Sequence, residues 1–122
     1  MIGFFLAAGV ALSYLGLGAG AAFAPRALAE NYGLPATSAT EIDYIRALGA
    51  RDAVLGFLVA WCLASRDRDA LGATIALSAL VGASDFAVVL GARGLAARTS
   101  LGIHGGGTVG LLVVWQLVRA GR

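Results

Sequence analysis

Arg51 and Asp52 stand side by side in "ALGARDAVLGF", residues 47–57, within a stretch that is otherwise apolar. Asp85 in "GASDF" and His104 in "IHGGG" are ringed in the same way by small and apolar residues. Together these four side chains make a coherent chemical set. A carboxyl can act as general acid or base, with histidine as its proton partner and arginine holding an oxygen or a developing negative charge. Isomerisation, cyclisation or epoxide opening of a lipophilic small molecule would use such parts, and none of these reactions needs a cofactor. The chain carries no nucleotide or haem motif, and one histidine with scattered carboxylates makes a poor metal site. Tyr14, Tyr44, Gly49, Gly82 and Thr108 are the expected substrate-binding residues around the set. Gly49 and Gly82 each precede an aspartate by three positions and would leave space beside it.

Whether the four meet depends on the elements that carry them. The chain has 122 residues, 59% hydrophobic and only 13% charged, with a mean hydropathy of +0.84, a composition outside that of soluble domains. It reads as one integral membrane domain over residues 1–122, with the lipid bilayer as its first partner and a bacterial cytoplasmic membrane as its expected place. The net charge of +2 comes from dispersed arginines, and without a basic run there is nothing to track a phosphate backbone, which argues against nucleic acid as a partner. Cys62, the single cysteine, can form no internal disulfide and is expected to pack as a small apolar group.

Four apolar runs, each near the roughly 20 residues needed to cross a bilayer, predict an all-α, antiparallel up-down four-helix bundle. The runs cover about residues 2–24, 44–65, 70–92 and 101–118. "AFA" at 22–24 imitates a signal-peptide cleavage site, but no basic segment precedes the run and a proline follows it, so the first run is expected to stay as a helix. Gly9, Ser13, Gly16 and Gly20 recur on it at helical spacing and predict a face for close helix packing. "HGGGTVG" lowers helix propensity in the fourth run and predicts local irregularity. Between the first two runs, Pro25 provides a helix start and Gly33 with Pro35 a stop, which predicts a short interfacial helix over Pro25–Tyr32 with Leu28 and Tyr32 on one face. Thr40 and Asp43 have the spacing of a capping box ahead of the second span.

Depth then brings the polar residues together. At 1.5 Å per residue, Arg51, Asp52 and Asp85 lie about 10 to 12 Å, and His104 about 5 Å, from the same membrane face. That face, side B, is where the first span ends and the second begins. The other half of the bundle, toward side A, carries almost nothing ionisable. Tyr44, Leu48, Arg51, Asp52 and Leu55 follow one helical face, as do Ser78, Gly82 and Asp85, and Ser100, His104, Thr108 and Leu111. These faces should point inward, because a charge facing lipid at mid-helix costs at least about 2.5 kcal/mol. Arg51 and Asp52, being adjacent, are expected to aim at different neighbours.

Two other readings use the same residues. A proton-coupled carrier would want access from both sides, which a one-sided polar layer disfavours unless copies assemble in opposite orientation as a homo-oligomer. A structural subunit would use the cluster only to fix helix positions. Arg66, Arg68, Arg119 and Arg122 on side A balance Arg26, Arg46, Arg93 and Arg98 on side B, so positive-inside counting sets no orientation. Trp61 and Trp115 fall near side A, as interface anchors or as packing groups.

A proline closing the first span, "YGLP" at 32–35, "GARDAVLG" at 49–56, an aspartate late in the third span and "HGG" at 104–106 occur in a characteristic order. In that order the chain resembles the small four-span membrane family catalogued as domain of unknown function 4267, with a looser likeness to DoxX-type membrane proteins. The resemblance implies a four-helix integral membrane protein and puts weight on Arg51, Asp52, Asp85 and His104. It supplies no reaction.

Overall fold

The computed structural model describes residues 1–121, so Arg122 lies outside the described residues. Four long helices and one short one follow in order: α1 (Ile2–Phe23), α2 (Pro25–Tyr32), α3 (Ala39–Ser65), α4 (Arg68–Arg93) and α5 (Arg98–Ala120), with a 3-10 turn over Gly94–Ala97 between the last two. α1, α3 and the continuous helical stretch Arg68–Ala120 are each long and apolar enough to cross a membrane. That last stretch folds back on itself at Gly94, whose φ of +57° lies in the left-handed region that favours glycine. The result is an up-down-up-down bundle. Its two extensive interfaces are α1 with α3 and α4 with α5, and the two pairs meet more lightly along α1–α5 and α3–α4.

Local signals account for the ends. Pro25 opens α2, where its missing N–H costs nothing, and Gly33 closes it at φ +101°. α3 begins five residues before the expected span, because the capping box is Ser38 with Glu41 rather than Thr40 with Asp43. Glu41 accepts from the backbone N–H groups of Thr37 at 2.7 Å and Ser38 at 2.8 Å, while its own N–H donates to Ser38 Oγ at 3.2 Å. The polar first turn therefore lies ahead of the apolar stretch. α5 runs unbroken through "HGGGTVG", against the expected irregularity: burial of Leu101, Leu111, Val114 and Val118 against the bundle offsets the low propensity of the glycines.

The packing face of α1 also differs from the expected stripe. A Cβ on Gly9 or Gly16 would meet nothing within 4 Å, whereas the tight α1–α3 contact uses Gly18, Gly49 and Gly56. A Cβ on Gly49 would collide with that of Ala21, and one on Gly56 would lie 2.8 Å from Leu15 Cγ. These glycines let two backbones approach, as small residues do at helix interfaces in membranes. Gly49→Ala is thus expected to cost about 1–3 kcal/mol by overpacking, while Gly16→Ala, which meets no neighbour and gains helix propensity, keeps the melting temperature or raises it. Equal melting of the two variants would contradict this assignment.

An apolar core fills the side A half, where Ala7, Val59, Cys62, Leu71, Ile75, Val114 and Val118 are buried. A second, smaller cluster of Ala21, Ala29, Ala36, Ile42 and Ile45 lies beneath α2. Trp61 is exposed on α3, and Trp115 packs partly against the core with the Arg119 guanidinium 5.0 Å from its ring.

Candidate functional site

Between the two core clusters lies a cavity of about 490 Å³, walled by all five helices. Arg51, Asp52, Asp85 and His104 line it, as do Tyr14, Gly82 and Thr108. The four chemically capable residues thus share one chamber, at the common depth that helix rise predicts. Tyr44 and Gly49 are not part of it. Tyr44 is 69% exposed, because the inward face of α3 runs through Ile42, Ile45, Gly49, Asp52, Gly56 and Val59, one position away from the stripe that begins at Tyr44. Gly49 faces inward but is filled by Ala21, so its missing side chain serves helix packing and leaves no space at the carboxylate. Gly82 lines the chamber, but a Cβ there would lie 2.7 Å from Thr108 Oγ1, so its missing side chain too serves helix packing, between α4 and α5.

Arg51 is the hub. Its Nη1 and Nη2 donate to Asp85 Oδ1 at 3.2 Å and Oδ2 at 3.1 Å, a bidentate bridge from α3 to α4. Contrary to the expectation for adjacent residues, it also folds back on Asp52: Nε donates to Oδ1 at 3.0 Å, and Nη2 lies 2.9 Å from the same oxygen. Three methylenes let the guanidinium curl beside its own backbone, which the rule about backbone directions does not restrict. A guanidinium has five N–H groups. Hydrogen bonds to the two aspartates engage one each on Nε, Nη1 and Nη2, with Nη2 also in ion-pair contact with Asp52, so one N–H on Nη1 meets neither carboxylate. The side chains of Asp52 and Asp85 are only 12% and 13% exposed, against 33% for Arg51.

The two carboxylates are held differently. Asp85 has both oxygens committed to Arg51 and accepts a further bond from the Tyr32 hydroxyl at 3.0 Å. Asp52 meets Arg51 through one oxygen only. With one guanidinium and two carboxylates, the cluster carries a formal charge of −1 when His104 is neutral.

Tyr32, at the last turn of α2, is the residue that sequence reasoning missed as a site member. It was legible only as a partner of Leu28 on the face of an interfacial helix, next to the "YGLP" stop. Its hydroxyl reaches Asp85, its backbone carbonyl accepts from His104 Nε2 at 2.9 Å, and the two rings meet edge to face at 4.6 Å. A carbonyl can only accept, so Nε2 carries a proton and Nδ1 is left to exchange one. The adjoining Gly33 carbonyl accepts from Arg93 Nη1 at 3.3 Å. α2 is thereby fastened across the side B end of the bundle. The Thr108 hydroxyl turns to the His104 carbonyl at 2.8 Å and holds α5's own backbone.

Burial, followed by the neighbouring Asp85 carboxylate, pushes the Tyr32 phenol up from its ordinary value. The fold thus favours the protonated phenol, and its contribution is full below the unfolded value near pH 10 and is lost as pH rises toward the folded one. Melting temperature should fall with pH above about 10, and Asp85→Asn should flatten that fall. An identical alkaline profile in the variant would contradict the linkage.

No buried side-chain nitrogen or oxygen among the described residues lacks a hydrogen-bond partner, and no group of three or more histidine, cysteine, aspartate or glutamate side chains there could hold a metal ion. The cluster is thus satisfied and yet adjoins open volume. No curated protein and no solved structure matches the chain, so the looser likeness to DoxX-type proteins gains no support. The family model described as domain of unknown function (DUF4267) matches residues 11–119, which takes in every residue of the polar cluster. With nearly its whole length matched, the chain belongs to the DUF4267 family.

Proposed function

We propose that the protein binds a lipophilic small molecule in the intramembrane cavity and carries out acid-base chemistry on it. One observation supports this most: a mainly apolar chamber of about 490 Å³ ends on Arg51, Asp52, Asp85, Tyr32 and His104. That volume falls within the range of small-molecule sites, as does the combination of apolar walls with a few convergent polar groups. A cluster needed only to pin helices would have no use for the space beside it.

Roles follow from the bonding. Asp85 is the anchor that fixes Arg51 and Tyr32, since both its oxygens are occupied. Asp52 is the acid-base group, held by one oxygen at the chamber wall. Arg51 offers its remaining N–H to an oxygen of the substrate, and His104 Nδ1 relays the proton. Isomerisation, cyclisation and epoxide opening all remain within reach of these groups. A proton-coupled carrier and a structural subunit are the alternatives, and the free volume beside the cluster weighs against the second.

Isotopes test the chemistry whatever the identity of the substrate. Lipid extract of the native membrane is incubated with the purified protein in heavy water, and separately in heavy-oxygen water. One lipophilic species should acquire non-exchangeable deuterium or heavy oxygen with the wild type and fail to do so with Asp52→Asn. If no species gains either label above the protein-free control, the acid-base reading is wrong.

A further inference from the structure

We infer that the cavity opens sideways into the bilayer between α1 and α5, and that its ligand is an uncharged oxygenated amphiphile: polar head on the Arg51 cluster, apolar body in this lateral cleft. The inference rests on the proposed ligand site and adds to it the route of access and the class of molecule.

Part of the cavity wall is at the same time molecular surface. Leu6, Gly9 and Leu17 of α1 and Ile103, Gly107 and Gly110 of α5 line the chamber and are exposed. They sit within spanning helices, so what they face outside is hydrocarbon. Glycine makes the gap. A Cβ on Gly9, Gly107 or Gly110 would meet nothing within 4 Å, in contrast to Gly18, Gly49 and Gly56 on the α1–α3 seam, where it would collide. The first set removes bulk without bringing backbones together, which leaves an opening. α1 and α5 do close on each other nearer side A, where a Cβ on Gly3 would lie 2.8 Å from the Leu117 backbone.

The chemistry of the cleft selects its occupant. Of the two polar side chains on this part of α1, Ser13 spends its hydroxyl on the Gly9 carbonyl at 2.9 Å, and the Tyr14 hydroxyl is partnered by Ser78. From Leu17 to Leu6, and from Ile103 to Val114, the walls run about 16 Å along the helix axes, toward the side A core and away from the polar cluster. An elongated apolar body therefore fits with its head at Arg51. Two carboxylates against one guanidinium leave the cluster formally at −1, which repels a phosphate, sulfate or carboxylate head. An alcohol, ketone or epoxide can instead take the Nη1 hydrogen of Arg51.

The probe is a long-chain fatty alcohol with a diazirine next to its hydroxyl, mixed into phosphatidylcholine vesicles holding the full chain. Illumination and peptide mass spectrometry should find label at the head end of the cavity, on Tyr32, Asp52 or His104. An alkyl sulfate of the same length and diazirine position should label these residues at least ten-fold less. Gly107→Phe and, separately, Gly110→Phe place a ring in open space, should keep wild-type helicity, and should each cut the alcohol's labelling about ten-fold. Asp52→Asn, which removes the proposed acid-base group, should still carry the alcohol's label on Tyr32 or His104. That arm separates the two claims, because lost isotope incorporation with retained cavity labelling leaves the portal standing. Unchanged labelling in both phenylalanine variants would overturn the lateral route, with access beneath α2 as the other path, while the ligand site itself would stand. Equal labelling by the sulfate would overturn the uncharged head. Absence of cavity labelling by the alcohol in the wild type would overturn the inference as a whole.

Discussion

Arg51→Met is expected to destabilise the bundle by about 3 kcal/mol, the low end of the range for stripping the partner from buried charges. The substitution leaves Asp52 and Asp85, at 12% and 13% exposure, without their shared cation. The low end applies because Arg51 is itself one-third exposed, at 33%. Thermal melting in detergent measures the loss. Arg46→Met is the matched control: its pair with Asp43 joins side chains 55% and 73% exposed, and such pairs contribute about 0–1 kcal/mol. Adding Asp85→Asn to Arg51→Met should recover part of the loss, since one of the stranded charges disappears. Equal melting of Arg51→Met and Arg46→Met would show that the cluster does not carry the α3–α4 contact.

Asp52→Asn is expected to lower turnover by about 10²- to 10⁴-fold, the usual contribution of a positioned acid or base, while shifting the melting temperature little. The asymmetry comes from the bonding. Removing the charge of Asp52 leaves the bidentate Arg51–Asp85 bridge and the Tyr32 hydroxyl in place, and an amide oxygen can still accept from Arg51 Nε. Turnover is read on the species that acquires isotope in native-membrane extract. A variant that melts like the wild type and reacts like it would move the acid-base role away from Asp52.

The reach of sequence reasoning followed a physical line. Spans, polarity and depth depend on counting along a helix, so residue numbers alone bring Arg51, Asp52, Asp85 and His104 to one layer. α2 was legible to the residue because Pro25 and Gly33 act locally. Facing was harder. Tyr44 and Ile45 begin overlapping stripes that fit Arg51 and Asp52 nearly as well as each other, and only packing against α1 shows that Ile45 points inward. Glycine hides its role further, since an absent side chain reads the same at a tight seam such as Gly49 and at an open wall such as Gly107. The capping box was ambiguous for a simpler reason: Ser38–Glu41 and Thr40–Asp43 share the spacing, and Glu41 is the acid that reaches back to the preceding N–H groups. Tyr32 could not be assigned at all from sequence. Its contact with Asp85, fifty-three positions away, exists only because α2 lies across the end of the bundle.

The central claim is that the chamber beside Arg51 holds a ligand, and occupancy measures it directly. Wild type and Asp85→Asn are purified in parallel from the native membrane, and the molecules released on denaturation are counted per chain by mass spectrometry. Asp85 anchors both Arg51 and Tyr32 at the head of the chamber, so its amide variant loosens the groups that face the ligand, while its remaining oxygen can still accept from Arg51 and tie α4 to α3. The expected result is one oxygen-bearing lipophilic species at a constant ratio to wild-type protein, reduced at least ten-fold in a variant that keeps its helical content. The same molecules in the same amounts from both proteins, or bulk phospholipid alone from the wild type, would contradict the claim.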